Sequence, residues 1–238
     1  MWKSGVLAVI ITIVYLLFGY FQIIEQDTER AHELGVFLVP LVALGYFVFE
    51  EKKTIYFTGF ILLFALSDLL DLFVGAMDYR LYYHLGNFLY ILAYIFLLLE
   101  IIKIGDFNYL IKRFKIYFTI LIVLDIYLVY VLQATVEPFV ETSYEYGVEL
   151  VYNIVMVALL SLALLNYIHK ENNKAMYLFL GALLIVCSEV IWVAHTYIVE
   201  KDVLNILSMT LNLSAFFCFY KQVQFSNEEG VEARFKLD

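Results

Sequence analysis

The stretch FALSDLLDLF, residues 64–73, places two carboxylates in a run whose other residues, apart from Ser67, are apolar. Asp68 and Asp71 are three residues apart, so a helix presents them on one face. The run around them is long enough to cross a bilayer, where an acid costs roughly 2.5–3.5 kcal/mol on insertion scales. An acid retained at that cost marks a functional site. The stretch therefore predicts a membrane-spanning helix that carries part of a site.

A second stretch repeats this pattern later in the chain. GALLIVCSEVIWVA, residues 181–194, is also an apolar run that is interrupted by a serine followed by an acid. Asp68 follows Ser67 just as Glu189 follows Ser188. We interpret Asp68 and Glu189 as the candidate catalytic pair. The echo also predicts a four-helix unit that is repeated once in the same orientation.

The composition predicts an all-α integral membrane protein. Hydrophobic residues make up 63% of the 238 residues and charged residues only 16%, which excludes a soluble domain of ordinary composition. Apolar runs predict a bundle of eight transmembrane helices within a single domain, residues 1–222, followed by a polar cytoplasmic tail, residues 223–238. The predicted spans are 5–24, 34–49, 54–75, 81–102, 115–133, 148–168, 175–198 and 203–220. The second span is short and contains Pro40, which predicts a bend or a tilt.

The basic residues predict the orientation of these spans. If both termini are cytoplasmic, the cytoplasmic side holds twelve of the 15 Lys and Arg residues, Lys112 and Lys236 among them. The opposite side then holds Arg30, Arg80 and Lys201. Cytoplasmic loops carry an excess of Lys and Arg, so this distribution favours eight spans with both termini inside.

Depth along the spans predicts a polar cavity that opens toward the outer face. The third span begins near Thr54 and the seventh near Ala175, so Asp68 and Glu189 both lie about 21 Å along their helices at 1.5 Å per residue. Polar residues are also concentrated in the outer halves of the neighbouring spans. The candidate substrate-binding residues are Asp71, His84, Asn87, Tyr90, Asp125, Asn153 and His195.

Each of these candidates has an alternative interpretation. His84 and His195 lie near the ends of spans, where interfacial anchoring is common. Asn153 fits a hydrogen bond between packed helices, and Asp125 fits either a functional role or that of a structural acceptor. Asp71 lies nearer the outer end than Asp68 and can simply face water in the cavity.

Several classes of chemistry are excluded by residues that the spans do not contain. No span carries a lysine near its middle, so a retinal Schiff base has no attachment point. The four histidines are scattered and form no HxxxH or HExxH pattern, which disfavours a zinc site, and no cofactor is predicted. Cys187 and Cys218 lie inside spans without the spacing of a metal site. Nothing in the sequence indicates a nucleic-acid partner. What remains is carboxylate chemistry in a membrane cavity, so the expected partner is a membrane lipid or lysolipid.

Three runs of the sequence resemble the YhhN family of lysoplasmalogenase-like membrane proteins. They are FLVPLVALGYFV (37–48), FALSDLLDLF (64–73) and GALLIVCSEVIWVA (181–194). The eight-span layout is also similar to that family. The chain departs from the family at Val39, where a Lys usually precedes the proline, and at Asn87, where a His usually lies one turn before Tyr90. Glu189 replaces an Asp.

The resemblance implies hydrolysis of the vinyl ether of a lysoplasmalogen to a fatty aldehyde and a glycerophospho-base. That reaction needs a proton donor and a second carboxylate that stabilises an oxocarbenium ion, roles that Asp68 and Glu189 can share. The resemblance also implies a bacterial inner membrane. Two alternatives remain open from the residues, a proton- or cation-coupled small-molecule transporter and a non-catalytic lipid-binding membrane protein.

Overall fold

The structure is a computed structural model that describes residues 2–104, 113–140 and 142–235. Within these ranges the chain is almost entirely helical and contains no strand, as the composition predicts. Short π or 3-10 turns follow three of the helices, at Phe21–Glu25, Asp71–Phe73 and Glu137–Phe139. The helices are α1 (Trp2–Tyr20), α2 (Thr28–Val36), α3 (Leu38–Phe49), α4 (Ile55–Leu70), α5 (Tyr79–Ile104), α6 (Lys115–Val136), α7 (Ser143–Lys170), α8 (Asn173–Tyr197) and α9 (Asp202–Phe235).

Eight helical segments in the described residues are long and apolar enough to cross a membrane. This number confirms the predicted count and is consistent with a multi-pass membrane protein. Lys112 and Lys236, which contributed to the predicted charge distribution, lie outside the described residues. The segments are Ser4–Glu25, Thr28–Phe49, Ile55–Phe73, Tyr79–Lys103, Lys115–Phe139, Ser143–Lys170, Asn173–Tyr197 and Asp202–Phe225.

The second segment is made of two helices, α2 and α3, which meet at Phe37. Pro40 explains the break because it has no N–H to donate to the carbonyl of Val36, and its ring crowds that carbonyl. At the junction itself, the Phe37 N–H donates to the carbonyl of Leu34, three residues earlier, at 3.2 Å. The sequence therefore places the irregularity correctly within this span.

Two segments begin earlier than the apolar runs predict because polar caps extend their helices. The second begins at Thr28 rather than residue 34, since the side chain of Asp27 accepts a hydrogen bond from the Arg30 N–H. The sixth begins at Ser143 rather than residue 148, since Thr142 and Glu145 form a reciprocal capping box. Capping residues are polar, so hydropathy assigns them to loops.

The bundle contains two helical hairpins, α4–α5 and α8–α9, that are packed through the same kind of contact. Gly59 of α4 lies so close to the ring of Phe96 in α5 that a Cβ atom would overlap it. Gly181 of α8 lies in the same way against Phe219 of α9. Each glycine therefore allows an aromatic ring to rest on the backbone of the opposing helix.

Four phenylalanines fill the space between α4 and α9. Phe60 and Phe216 stack with ring centroids 5.6 Å apart, and Phe219 meets Phe60 edge-on at 5.2 Å. Phe64 completes the group at 4.7 Å from Phe216. All four are at most 2% exposed. We refer to Phe60, Phe64, Phe216 and Phe219 as the phenylalanine cluster.

Candidate functional site

Asp68 and Glu189 line a single cavity of about 390 Å³, which lies in the range of small-molecule sites. Asp68 comes from α4 and Glu189 from α8, and the two are close enough to interact electrostatically. Each keeps intermediate exposure, and both contribute to the surface of the cavity. Asp71 and Glu149 also line it. The fold thus brings together two acids that lie 121 residues apart in the sequence.

Each of the four cavity carboxylates accepts a hydrogen bond from a tyrosine, and all four tyrosines belong to α5. One helix therefore holds every acid in the cavity. The bonds run from Tyr82 to Asp71 at 2.6 Å, from Tyr83 to Glu149 at 2.6 Å, from Tyr90 to Asp68 at 2.7 Å, and from Tyr94 to Glu189 at 3.3 Å.

Glu189 has a second tyrosine hydroxyl nearby, which Asp68 lacks among the described residues. Tyr152 of α7 also lines the cavity and has its hydroxyl near both Glu189 and Tyr94. The rings of Tyr94 and Tyr152 meet edge to face with centroids 5.6 Å apart, which fixes their relative orientation. Two hydroxyl groups therefore face Glu189, whereas one faces Asp68.

Acidic side chains outnumber basic ones in the lining of the cavity. Among the described residues, no Lys or Arg lines the cavity. A basic side chain is contributed by His32 of α2, which is exposed. His32 is close enough to Asp71 to interact electrostatically. Within the described residues, no group of three or more His, Cys, Asp or Glu side chains is arranged to hold a metal ion.

The serine before each acid joins the two helices of its hairpin. The Ser67 hydroxyl donates to the carbonyl oxygen of Gly86 in α5, at 2.9 Å. The Ser188 hydroxyl donates to the carbonyl oxygen of Ser208 in α9, at 2.8 Å, and the Ser208 hydroxyl donates to the carbonyl oxygen of Ser188, at 3.0 Å. These bonds fix how the two helices of each hairpin are aligned along their axes, and so set the position of the acid relative to the opposing helix.

Four of the substrate-binding candidates line the cavity with the acids. Asp71 and Tyr90 both line the cavity, and each takes part in one of the tyrosine–carboxylate hydrogen bonds. Asn87 donates from Nδ2 to the carbonyl oxygen of Tyr83 at 3.0 Å, and Asn153 donates from Nδ2 to Oε1 of Gln133 at 3.4 Å. The structure thus places these residues beside Asp68 and Glu189.

Three candidates do not line the cavity. His84 packs edge-on against Tyr144 with ring centroids 4.8 Å apart. Asp125 accepts a hydrogen bond from the Ser161 hydroxyl at 2.7 Å, between α6 and α7. His195 accepts one from the Lys201 N–H at 3.2 Å, at the turn after α8. These contacts fit the structural and anchoring interpretations.

Sequence reasoning missed most of the tyrosines. Tyrosine is common at membrane interfaces, so Tyr82, Tyr83, Tyr94 and Tyr152 resemble an aromatic belt. One signal was available in the spacing of Tyr83, Asn87, Tyr90 and Tyr94, which recur every three or four residues and so share one face of α5. A polar stripe of this kind faces the interior of a bundle rather than lipid.

Comparisons of this chain with protein-family models, with curated proteins and with solved structures each find no match. The functional interpretation therefore rests on the residues of the cavity and on what their arrangement can do chemically.

Proposed function

We propose that this protein is a membrane-embedded lipid hydrolase that cleaves the vinyl ether of a lysoplasmalogen, and that it is a diverged member of the YhhN family. The observation that supports this most strongly is the position of Asp68 and Glu189, which line one cavity from two different helices. Paired carboxylates are suited to reactions that pass through an oxocarbenium ion, because one can deliver a proton while the other stabilises the cation.

The proposed reaction adds water across the ether in three steps. A carboxylic acid first transfers its proton to the outer carbon of the double bond, which leaves an oxocarbenium ion at the carbon attached to oxygen. Water adds to that carbon and gives up a proton to a carboxylate, so a hemiacetal forms. The hemiacetal then collapses to a fatty aldehyde and to the free sn-1 hydroxyl of the glycerophospho-base. The acid lost in the first step is regenerated in the second.

The hydroxyl groups around the acids suggest which one takes each role. Donors stabilise a carboxylate, and Glu189 faces two hydroxyls whereas Asp68 faces one. We therefore assign the proton-donor role to Asp68 and the cation-stabilising role to Glu189. Tyr90, Tyr94 and Tyr152 act as positioning residues for the two acids.

The test is aldehyde release by the purified protein in detergent. We expect aldehyde from a lysoplasmalogen and none from its saturated alkyl-ether analogue, which has no double bond to protonate. Asp68→Asn is expected to abolish release while the protein still elutes as a folded species. Full activity in that variant would overturn the assignment.

The two departures from the family offer a second test because both positions line the cavity. Val39 and Asn87 occupy the places of the usual Lys and His. If the chain shows no activity, Val39→Lys combined with Asn87→His is expected to produce aldehyde release. Failure of a well-folded double variant would argue against a hydrolase.

One observation favours a second candidate, a proton- or cation-coupled transporter. Four carboxylates line the cavity, and no Lys or Arg does so within the described residues, a charge balance that suits a positively charged occupant. Uptake of an organic cation into proteoliposomes, driven by a pH gradient and lost in Glu189→Gln, would favour transport. Binding of lysolipid with neither aldehyde release nor uptake would favour the non-catalytic lipid-binding protein.

We also propose that both termini are cytoplasmic in a bacterial inner membrane, with residues 223–238 as a cytoplasmic tail. The excess of Lys and Arg on one side of the predicted spans supports this orientation. Cysteines introduced at Lys53 and Glu200 test it. The first is expected to be protected from an impermeant thiol reagent added outside intact cells, and the second to be labelled.

The parallel four-helix repeat belongs to the same proposal. The matched glycine–phenylalanine and serine–carbonyl contacts of the α4–α5 and α8–α9 hairpins support it. Contacts between the halves are also alike, since α5 packs on α7 as α9 packs on α3. In a parallel repeat of four helices, these pairs occupy corresponding positions.

A further inference from the structure

Four asparagines line the cavity, and three of them are held by the protein. Asn87 donates to the carbonyl oxygen of Tyr83, Asn153 to Gln133, and Asn205 to Oε1 of Gln22 at 2.9 Å. Asn212 of α9 differs, because its Oδ1 is buried and accepts no hydrogen bond within the described residues. A buried amide oxygen without a partner is unfavourable, so this group is poised for a donor that the cavity receives from outside.

The position of Asn212 in its hairpin is that of Tyr90 in the other. Tyr90 lies four residues after Gly86, whose carbonyl binds Ser67, and its hydroxyl reaches Asp68. Asn212 lies four residues after Ser208, whose carbonyl binds Ser188, the residue before Glu189. Asn212 therefore occupies in α9 the position that Tyr90 occupies in α5, and it lines the same cavity as Glu189.

The shorter side chain at this position leaves room that tyrosine would fill. Glu189 takes its hydroxyl partners from Tyr94 and Tyr152 instead, so Asn212 is not needed to hold it. An amide offers one donor group and one acceptor group, a pairing that suits a hydroxyl, which also donates and accepts. An amide in this part of the cavity lining thus suits a hydroxyl-bearing carbon next to the reacting ether.

We propose that Asn212 is a specificity-determining residue that binds the free sn-2 hydroxyl of the lysolipid, an inference that rests on the proposed function. The hydroxyl donates to Oδ1 of Asn212, and its oxygen accepts from Nδ2. A diacyl lipid carries an ester at sn-2, which has no donor for Oδ1. This contact selects lysolipids and places the sn-1 ether between Asp68 and Glu189.

The catalytic test compares a lysoplasmalogen with its 2-deoxy analogue, which lacks only that hydroxyl. Asn212→Leu is expected to lower kcat/KM for the lysoplasmalogen about tenfold and to leave the 2-deoxy analogue within about twofold, because only the former loses a hydrogen bond. Asn166→Leu is the matched control. Asn166 is also a buried amide without a partner in the described residues, but it does not line the cavity. Equal losses on both substrates in Asn212→Leu would overturn the proposal.

A binding test keeps the inference separable from catalysis. Trp192 lines the cavity, and the chain has one other tryptophan, Trp2, so a Trp2→Phe background leaves Trp192 as the reporter. A saturated alkyl-ether lysolipid, which cannot be hydrolysed, is titrated against the fluorescence of Trp192. We expect Asn212→Leu to weaken its binding about tenfold and to leave binding of the 2-deoxy analogue within about twofold.

The two tests distinguish the possible failures. Selective loss of binding with no aldehyde from any variant would support Asn212 as the hydroxyl site and overturn the hydrolase. Aldehyde release with an unchanged preference in Asn212→Leu would support the hydrolase and overturn the role of Asn212. Absence of lysolipid binding to the folded protein would overturn both.

Discussion

The α4–α5 and α8–α9 hairpins hold their acids in the same frame but give them different neighbours. Each uses a glycine under a phenylalanine ring and a serine bonded to a carbonyl on the opposing helix. In the first hairpin the next turn supplies Tyr90, which binds Asp68. In the second it supplies Asn212, whose Oδ1 has no partner among the described residues.

This difference shows that the two hairpins share their packing contacts but not the neighbours of their acids. The serine–carbonyl contacts are alike in the two hairpins, whereas the residue four positions after the accepting carbonyl is Tyr90 in one and Asn212 in the other. α5 serves both hairpins, since Tyr90 contacts Asp68 and Tyr94, one turn later, contacts Glu189. The two acids are therefore both hydrogen-bonded to the same helix.

The largest expected effect tests whether the two acids form one unit. Asp68→Asn and Glu189→Gln are each expected to lower the rate of aldehyde release by more than about 100-fold, because each removes one half of an acid–base pair. The double variant is expected to be little worse than either single variant. Asp125→Asn is the control, since that acid bonds Ser161 outside the cavity. Independent, multiplying losses would show that the acids act separately.

The next effect tests whether the packing of the two hairpins is equivalent. Gly59→Ala and Gly181→Ala are each expected to destabilise the fold by about 1–3 kcal/mol, since the added methyl group overlaps a phenylalanine ring. Thermal unfolding in detergent, followed by loss of the folded elution peak, measures this. Gly86→Ala is the control, because its Cβ would lie 3.8 Å from the Ser67 hydroxyl, at ordinary contact distance. If only one of the two variants lost stability, the packing of the two hairpins would not be equivalent.

A smaller effect tests the difference in hydroxyl partners. Tyr90→Phe is expected to lower kcat about tenfold, because it removes the tyrosine that bonds Asp68. Tyr94→Phe is expected to lower it only about threefold, because the Tyr152 hydroxyl remains near Glu189. The Tyr94→Phe and Tyr152→Phe double variant is then expected to match Tyr90→Phe. Equal effects of the two single variants would contradict the assigned partners.

The smallest effect concerns the serines. Ser67→Ala and Ser188→Ala are each expected to destabilise the fold by about 0.6 kcal/mol, the average for hydrogen bonds between membrane helices. The Ser188→Ala and Ser208→Ala double variant is expected to lose more than Ser67→Ala, because the second hairpin has two such bonds. Unfolding in the same detergent gives the comparison, and equal losses would show that the second bond contributes nothing.

The sequence predicted the number of spans and the pairing of the acids because both depend on simple patterns. Apolar runs mark spans directly, and the equal distance of Asp68 and Glu189 from the predicted starts of their spans indicated that they could meet in one cavity, which both of them line. The early starts at Thr28 and Ser143 were missed because capping residues are polar. The direction in which a side chain points depends on packing between helices, which a single sequence does not contain.

The partners of the acids illustrate this limit. Tyr94 and Tyr152 have the composition of interfacial residues, and only the contact of α5 with α7 turns them toward Glu189. His84 and Asp125 were also candidates for the site, yet they lie against Tyr144 and Ser161.

The phenylalanine cluster has an electrical consequence. Carboxylates inside a membrane attract water, and a continuous column of water would conduct protons and ions. Phe60 lies two turns from Asp68 on α4, on the side away from Asp71, and with its three aromatic partners it fills the bundle there with carbon alone. In the proposed membrane orientation, water that entered the cavity would meet these packed rings beyond the acids, and we expect the rings to block a continuous path for ions.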